Sequence, residues 1–250
     1  ALRLAHDVTE PVRDVTYVFY ECEEIDAAFN GLERIAHSHP ELLDSDFAIL
    51  MEPTSAGVEA GCQGTLRAVV RTSGTRAHSA RSWLGDNAVH QAAEILNRLV
   101  DYDPRRALVD GLEYREGLNA VGIEGGVAGN VIPDACAVTV NYRFAPSRSP
   151  QEAQDHVREV FAGFEVEIVD LAAGALPGLH LPAARQFITA VGAQPRPKFG
   201  WTDVARFAAL GVPAVNYGPG DPALAHAADE RVPEADLVAC EAGMRRWLSA

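Results

Sequence analysis

The chain has 250 residues, 48% of them hydrophobic, and 21 Lys and Arg against 35 Asp and Glu, a formal charge of −14. At about 150 residues per domain this is one to two domains with a sizeable core. The acidity argues against nucleic acid and anionic membranes as partners and makes clustered carboxylates candidates for cation binding; no apolar run reaches the about 18 residues of a membrane span, and no signal-peptide pattern opens the chain.

In chain order, residues 1–9 read as an amphipathic helix broken at Glu10 and Pro11. Residues 15–20 form an apolar, β-branched and aromatic run, predicted as a buried strand. Residues 26–38 read as a helix, 46–51 as a second buried strand, and Pro53, Ser55 and Gly57 as a loop. Strand, helix and strand with short connections predict a parallel α/β sheet. From Gly61 the character changes to strand 65–72, helix 87–99, strands 119–123 and 135–143, helix 150–161 and strand 165–170. This βαββαβ order is that of a ferredoxin-like α+β module. After a Gly-, Ala- and Pro-rich linker at 171–178, helices 182–191 and 203–210, a strand at 214–217 and a closing helix 234–249 return to α/β character. The predicted architecture is therefore a mixed, mostly parallel α/β domain formed by 1–62 and 172–250, interrupted by an inserted α+β domain at 63–171.

Glu23 and Glu24 follow the first predicted strand and Glu52 follows the second. Ligands of open α/β sheets bind beyond the carboxyl ends of the strands, where these acids would converge. The plainer explanation of Glu23 and Glu24 alone is favourable charge at the start of the next helix. His226, with Asp229 and Glu230 nearby, lies in the loop after the strand at 214–217, at the same predicted edge. A lone loop histidine is usually solvated, but His with two carboxylates is a suitable N/O set for zinc. His6 and Asp7 lack the His-x-Asp spacing of a strand-end ligand pair and read as surface residues. On residue chemistry alone, His78 is a polar turn residue, Arg143 a surface charge, and Asn130 a turn residue with φ > 0 beside the glycines at 125–129.

Several mechanisms lack their motifs. There is no GxSxG elbow, no P-loop and no GxGxxG opening a helix after a strand. Cys22, Cys62, Cys136 and Cys240 have no CxxC spacing and read as reduced thiols of a cytoplasmic protein. Cys22 has no histidine near it in sequence, which makes a thiol enzyme a distant alternative.

Taken in order, YECEEID at 20–26, EPT at 52–54, RAHSA at 76–80, GNVIPD at 129–134, NYRF at 141–144, GWTDVARF at 200–207 and VNYGPGDPALAHAADE at 215–230 resemble the co-catalytic zinc aminoacylase and carboxypeptidase superfamily. Within it the chain most resembles the succinyl-diaminopimelate desuccinylases. The resemblance implies amide hydrolysis with two zinc ions per active site, cobalt serving as a substitute, and a small-molecule substrate. It further implies Glu23 as general base, Glu24 and His226 as ligands of one zinc and Glu52 as a ligand of the other. His78 matches a histidine presented across a homodimer interface, formed through the inserted domain, to polarise the substrate carbonyl. Asn130, Arg143 and Thr202 match substrate-contacting positions, with Arg143 anchoring a carboxylate.

Three departures qualify the resemblance. The Asp that usually precedes the two glutamates is Cys22 here, and the segment around Cys62 and Gln63 is less basic than in many desuccinylases. The superfamily's strand-end His-x-Asp and bridging Asp have no counterpart in the chain, which opens partway along a helical pattern with methionines only at Met51 and Met244. The expectation is the C-terminal part of a longer enzyme. The alternatives are an acetylornithine deacetylase, a dipeptide carboxypeptidase, or an inactive dimerisation or binding module.

Overall fold

The computed structural model describes residues 1–24 and 29–249. The elements begin with α1 (Leu2–Asp7), α2 (Gly31–Ser38), β1 (Ala48–Leu50), β2 (Val58–Ala60), β3 (Gly64–Ser73), β4 (Ala77–His78) and α3 (Ala88–Val100). They continue with β5 (Arg106–Val109), β6 (Leu112–Arg115), β7 (Gly117–Gly125), β8 (Val131–Ile132), β9 (Ala135–Phe144), α4 (Pro150–Val160) and β10 (Glu165–Ala172). The last are α5 (Pro182–Val191), β11 (Pro195–Pro197), α6 (Val204–Ala209), β12 (Ala214–Asn216) and α7 (Glu234–Ser249). The chain divides into two compact units. One comprises 1–62, 109–112 and 175–250, the other 63–108 and 113–174.

In the first unit four short strands pair in the order β1-β12-β2-β11. The β1–β12 and β2–β11 pairs are parallel and β12–β2 is antiparallel, so the sheet is mixed and mostly parallel, as expected. Both faces of β1, β12 and β2 are covered, so nearly every residue of these strands is buried, the polar Glu59 and Asn216 included. On one side Ala48, Leu50 and Ala214 pack with Leu32 of α2 and Val204 and Phe207 of α6. On the other, Val58, Ala60 and Val215 pack with Phe187 of α5 and Cys240 and Met244 of α7. Phe187 also meets Tyr217 and Trp247 edge to face, geometries that add to plain area burial.

The second unit holds an antiparallel sheet in the order β10-β3-β9-β7. With α3 and α4 this is the expected ferredoxin-like arrangement. Along β9, Cys136, Val138, Val140, Tyr142 and Phe144 are buried while the alternate residues are not, the period-2 pattern of a sheet covered on one face. Ala88, Ala92 and Ile95 of α3 and Ala153 and Val157 of α4 close that face. The start of α4 is specified locally: Ser149 and Glu152 form a reciprocal capping box with Pro150 in the first turn. Phe144 packs against Gly64, where a Cβ would fall 2.1 Å from its ring.

Three expectations need correction. Residues 15–20 are not a strand: among the described residues no backbone ladder pairs with them. Val18 and Tyr20 pack on one core and Tyr17 on the other, while Phe19 is 61% exposed. The apolar pattern reported burial, which an extended segment achieves without hydrogen-bonded neighbours. The predicted helix at 26–38 is described only from Phe29 onward, residues 26–28 lying outside the described residues; α2 starts at Gly31, capped by Asn30, which accepts from the Glu33 amide at 3.0 Å. Asn130 does not adopt positive φ; among the described non-glycine residues only Cys22, Ser55, Ala56, Asp110 and His226 do. Its backbone carbonyl instead accepts from the Ser79 amide at 2.9 Å. The buried strand β2 and the short β11 escaped detection because three residues are too few to display a period.

Candidate active site

The parallel pairing of β1 and β12 sets Leu50 opposite Asn216, and the Tyr217 amide extends the ladder by donating to the Leu50 carbonyl at 2.8 Å. Both chains therefore leave the sheet at the same edge, one into Glu52 and the other into the loop that carries His226. Gly218 makes this close approach feasible: a Cβ there would lie 2.4 Å from the Glu52 carbonyl oxygen. Thr54 is fully buried and ties the two exits together, accepting from the Gly218 amide at 3.0 Å and donating to the Gly57 carbonyl at 2.6 Å.

At this edge His226, held at a φ of 63°, brings Nε2 within 3.5 Å of Glu24 Oε2. Glu23 is half-buried, and its carboxyl is pushed up to about 7 by burial first and then by Glu52, Glu24 and Asp203, with Arg206 opposing. Burial also raises Glu52, against the pull of Lys198. Lys198 is itself buried and pairs with Glu59, Nζ to Oε2 3.1 Å. Thr202 is buried behind the edge; its hydroxyl donates to Asn216 Oδ1 at 3.0 Å, and Asn216 Nδ2 reaches the Glu59 carbonyl at 3.3 Å.

The first unit thus brings together Glu23, Glu24, Glu52 and His226, which the sequence spreads over most of the chain. Their oxygen and imidazole donors suit a divalent metal such as zinc, and, besides burial, the charges of Glu24 and Asp203 raise both Glu23 and Glu52, a negative field that a cation would relieve. Among the described residues, no three His, Cys, Asp or Glu side chains already stand close enough together to hold an ion. His6 and Asp7 hydrogen-bond each other at 2.7 Å on exposed α1, as surface residues should.

In the second unit β4 pairs with β8, setting His78 opposite Val131, and Ser79 bonds to Asn130, so His78 and Asn130 are neighbours. The exposed His78 ring accepts from the Ala80 amide through Nδ1 at 3.0 Å. Arg143 lies on β9 opposite Thr65 of β3 and Gly117 of β7.

Sequence reasoning passed over Asp203, Arg206 and the Glu59–Lys198 pair. Asp203 and Arg206 stand inside the GWTDVARF motif, so a signal existed; their importance rests on partners distant in sequence. Asp203 is fully buried, and its carboxylate accepts from Asn30 Nδ2 at 3.1 Å, from Arg206 Nε at 2.6 Å and from the Tyr20 hydroxyl.

Comparison with known proteins agrees with this picture. Residues 61–167 match the M20 peptidase dimerisation domain. The chain is 60% identical over 249 residues to a Mycobacterium tuberculosis protein named as a succinyl-diaminopimelate desuccinylase, an alignment covering 99% of this chain and 70% of that protein. It is 49% identical over 247 residues to the Corynebacterium glutamicum succinyl-diaminopimelate desuccinylase, covering 96% and 67%. In fold it is similar to an M20 family metallo-carboxypeptidase from Sulfolobus solfataricus, with a TM-score of 0.68 at 19% identity over 87% of this chain and 66% of that one. The chain belongs to the succinyl-diaminopimelate desuccinylase family.

Proposed function

We propose that this chain, within the complete enzyme, hydrolyses the succinyl amide of N-succinyl-LL-2,6-diaminopimelate in the cytoplasm, as a step of diaminopimelate and lysine biosynthesis. The observation that carries the reading is the convergence of half-buried Glu23 with Glu24, Glu52 and His226 at one end of the sheet, in a chain 60% identical to a relative of that name. A carboxylate held beside the metal ligands is within reach of an attacking water and suits general-base work. Glu23 accordingly takes a proton from the attacking water and returns it to the leaving amine.

Glu24 and His226 would hold one zinc ion and Glu52 a second, with cobalt as a substitute. When bound, the metals would supply a lowered pKa for water and Lewis-acid polarisation of the amide carbonyl. Presented across the homodimer interface, His78 would support the same step: its Nδ1 accepts from the Ala80 amide, which leaves Nε2 to donate to the developing oxyanion. Arg143 anchors a substrate carboxylate, and Asn130 and Thr202 add polar contacts. In this reading 1–62 and 172–250 form the catalytic domain, and 63–171 is a lid and homodimerisation domain, supported by the dimerisation-domain match.

The test is Glu23→Gln in the complete enzyme, assayed with succinyl-diaminopimelate and acetylornithine side by side. The expected result is loss of turnover at unchanged metal content, and a wild-type preference for the succinyl substrate. Near-normal turnover in the variant overturns the role of Glu23, and faster hydrolysis of acetylornithine overturns the substrate.

A further inference from the structure

Asp203 stands immediately before α6, a position where an aspartate ordinarily caps the helix, yet its side chain makes no capping hydrogen bond. It is fully buried and spends its oxygens elsewhere. Oδ2 accepts from Asn30 Nδ2 at 3.1 Å, Oδ1 from Arg206 Nε at 2.6 Å, and the Tyr20 hydroxyl is a third donor.

Two of these donors flank the segment bearing Glu23 and Glu24: Tyr20 precedes it and Asn30 follows it. The same two ends are joined again by backbone, the Gly31 amide donating to the Glu21 carbonyl at 2.9 Å. The contact is close enough that a Cβ on Gly31 would lie 2.9 Å from Glu21 Oε2 and 3.0 Å from its backbone nitrogen. Arg34 of α2 pairs with Glu21, and Arg206 reaches across to Glu33 of α2. The chain thus leaves and re-enters through one narrow neck, with Asp203 at its buried side.

We propose that Asp203 is a positioning residue for hydrolysis: by binding Tyr20 and Asn30 together it closes the neck of the segment carrying Glu23 and Glu24, and so sets where those carboxylates sit. A buried carboxylate with several donors is held rigidly, since leaving any donor unpaired away from water is costly. Arg206 fixes Asp203 from its own helix. The inference rests on the reading of Glu23 as general base.

The experiment uses the complete enzyme with Tyr20→Phe, Asp203→Asn, the double variant, and Glu23→Gln in parallel. Misplacing a base by a fraction of an ångström reduces the chemical step more than substrate binding. Asp203→Asn is expected to lower kcat by about tenfold or more with KM within about twofold. Tyr20→Phe, which deletes one hydroxyl, should give a smaller loss of the same kind, and the double variant should be no worse than Asp203→Asn. In the metal-free enzyme, hydrogen exchange at the Gly31 amide should accelerate while β1 and β12 keep their protection.

Unchanged kcat in both single variants overturns the proposal, as does exchange accelerated across the whole unit or fully additive losses. If Asp203→Asn does not fold, the kcat-against-KM split and the Gly31 exchange of Tyr20→Phe decide. Turnover surviving in Glu23→Gln removes the reading of the base instead, whereas an inactive Glu23→Gln beside a fully active Asp203→Asn removes only the positioning role.

Discussion

His226 Nε2 lies 3.5 Å from Glu24 Oε2, and both side chains are at least 70% exposed. A polar contact so open to water contributes only about 0–1 kcal/mol to stability, so the proximity matters for ligand binding and little for folding. His226→Ala in the complete enzyme should therefore leave the thermal midpoint of the metal-free protein unchanged and weaken zinc binding by at least about tenfold. Zinc titration by calorimetry checks this, and an unchanged zinc affinity would falsify the ligand role.

Gly218 against Glu52 offers a second handle on the same edge. The Cβ introduced by Gly218→Ala would meet the Glu52 carbonyl at 2.4 Å and the Met51 carbonyl at 3.0 Å, all backbone that cannot swing aside. Overpacking of this kind costs about 1–3 kcal/mol, and the displacement falls on Glu52 itself. Gly218→Ala should lose activity well beyond its loss of stability, while Gly117→Ala, with no atom nearer than 3.6 Å, should stay close to wild type in both.

In the second unit Glu116 is buried and accepts from the Tyr142 hydroxyl at 2.6 Å, the Ala145 amide at 3.1 Å and Arg148 Nε at 3.3 Å. Tyr142→Phe removes one hydrogen bond to a charged group, a loss of about 1.5–3 kcal/mol. Glu116→Ala strands several donors at once and should cost more. Urea denaturation of the two variants tests the order, and equal midpoints would show that the other donors need no carboxylate.

His156 is half-buried, with Nε2 2.8 Å from the Tyr102 hydroxyl and its ring 5.2 Å from that of Tyr142. Burial, then Arg148, lowers its pKa below 6.5, while Glu116 and Glu159 oppose the shift. The folded state therefore binds fewer protons than the unfolded one in the window just below 6.5, so stability falls as pH drops through that window and is regained above it. Replacing His156 by Gln should flatten the decline of the melting temperature between about pH 7 and pH 5; a slope equal to that of the wild type would assign the decline to other groups.

Much of the second unit was legible from the sequence, because the strands of its main sheet run eight to ten residues and expose one face. Alternation along β9 and the capping box of α4 declare themselves locally. The first unit was harder. Its strands have only three residues, so buried β2 and the edge strand β11 show no period, and the apolar run at 15–20 is indistinguishable by composition from a strand although among the described residues it has no ladder. The candidate acids were visible as residues following apolar runs, but Asp203 was not, since its meaning depends on Tyr20 and Asn30 far away in the chain.

Local pattern alone determined most of the longer elements, the α/β character, the change to an α+β module, and the ordered motifs that mark the family, since propensity, periodicity and capping act over a few residues. Only the tertiary structure decided that Glu52 and the His226 loop leave the sheet at one edge, that burial and then the carboxylates around it raise Glu23, and that Asp203 accepts from both Tyr20 and Asn30, on either side of Glu23 and Glu24. Those properties come from burial and from charges brought together across the chain, and Coulomb and desolvation energies depend on distance in space, which spacing along the chain does not encode.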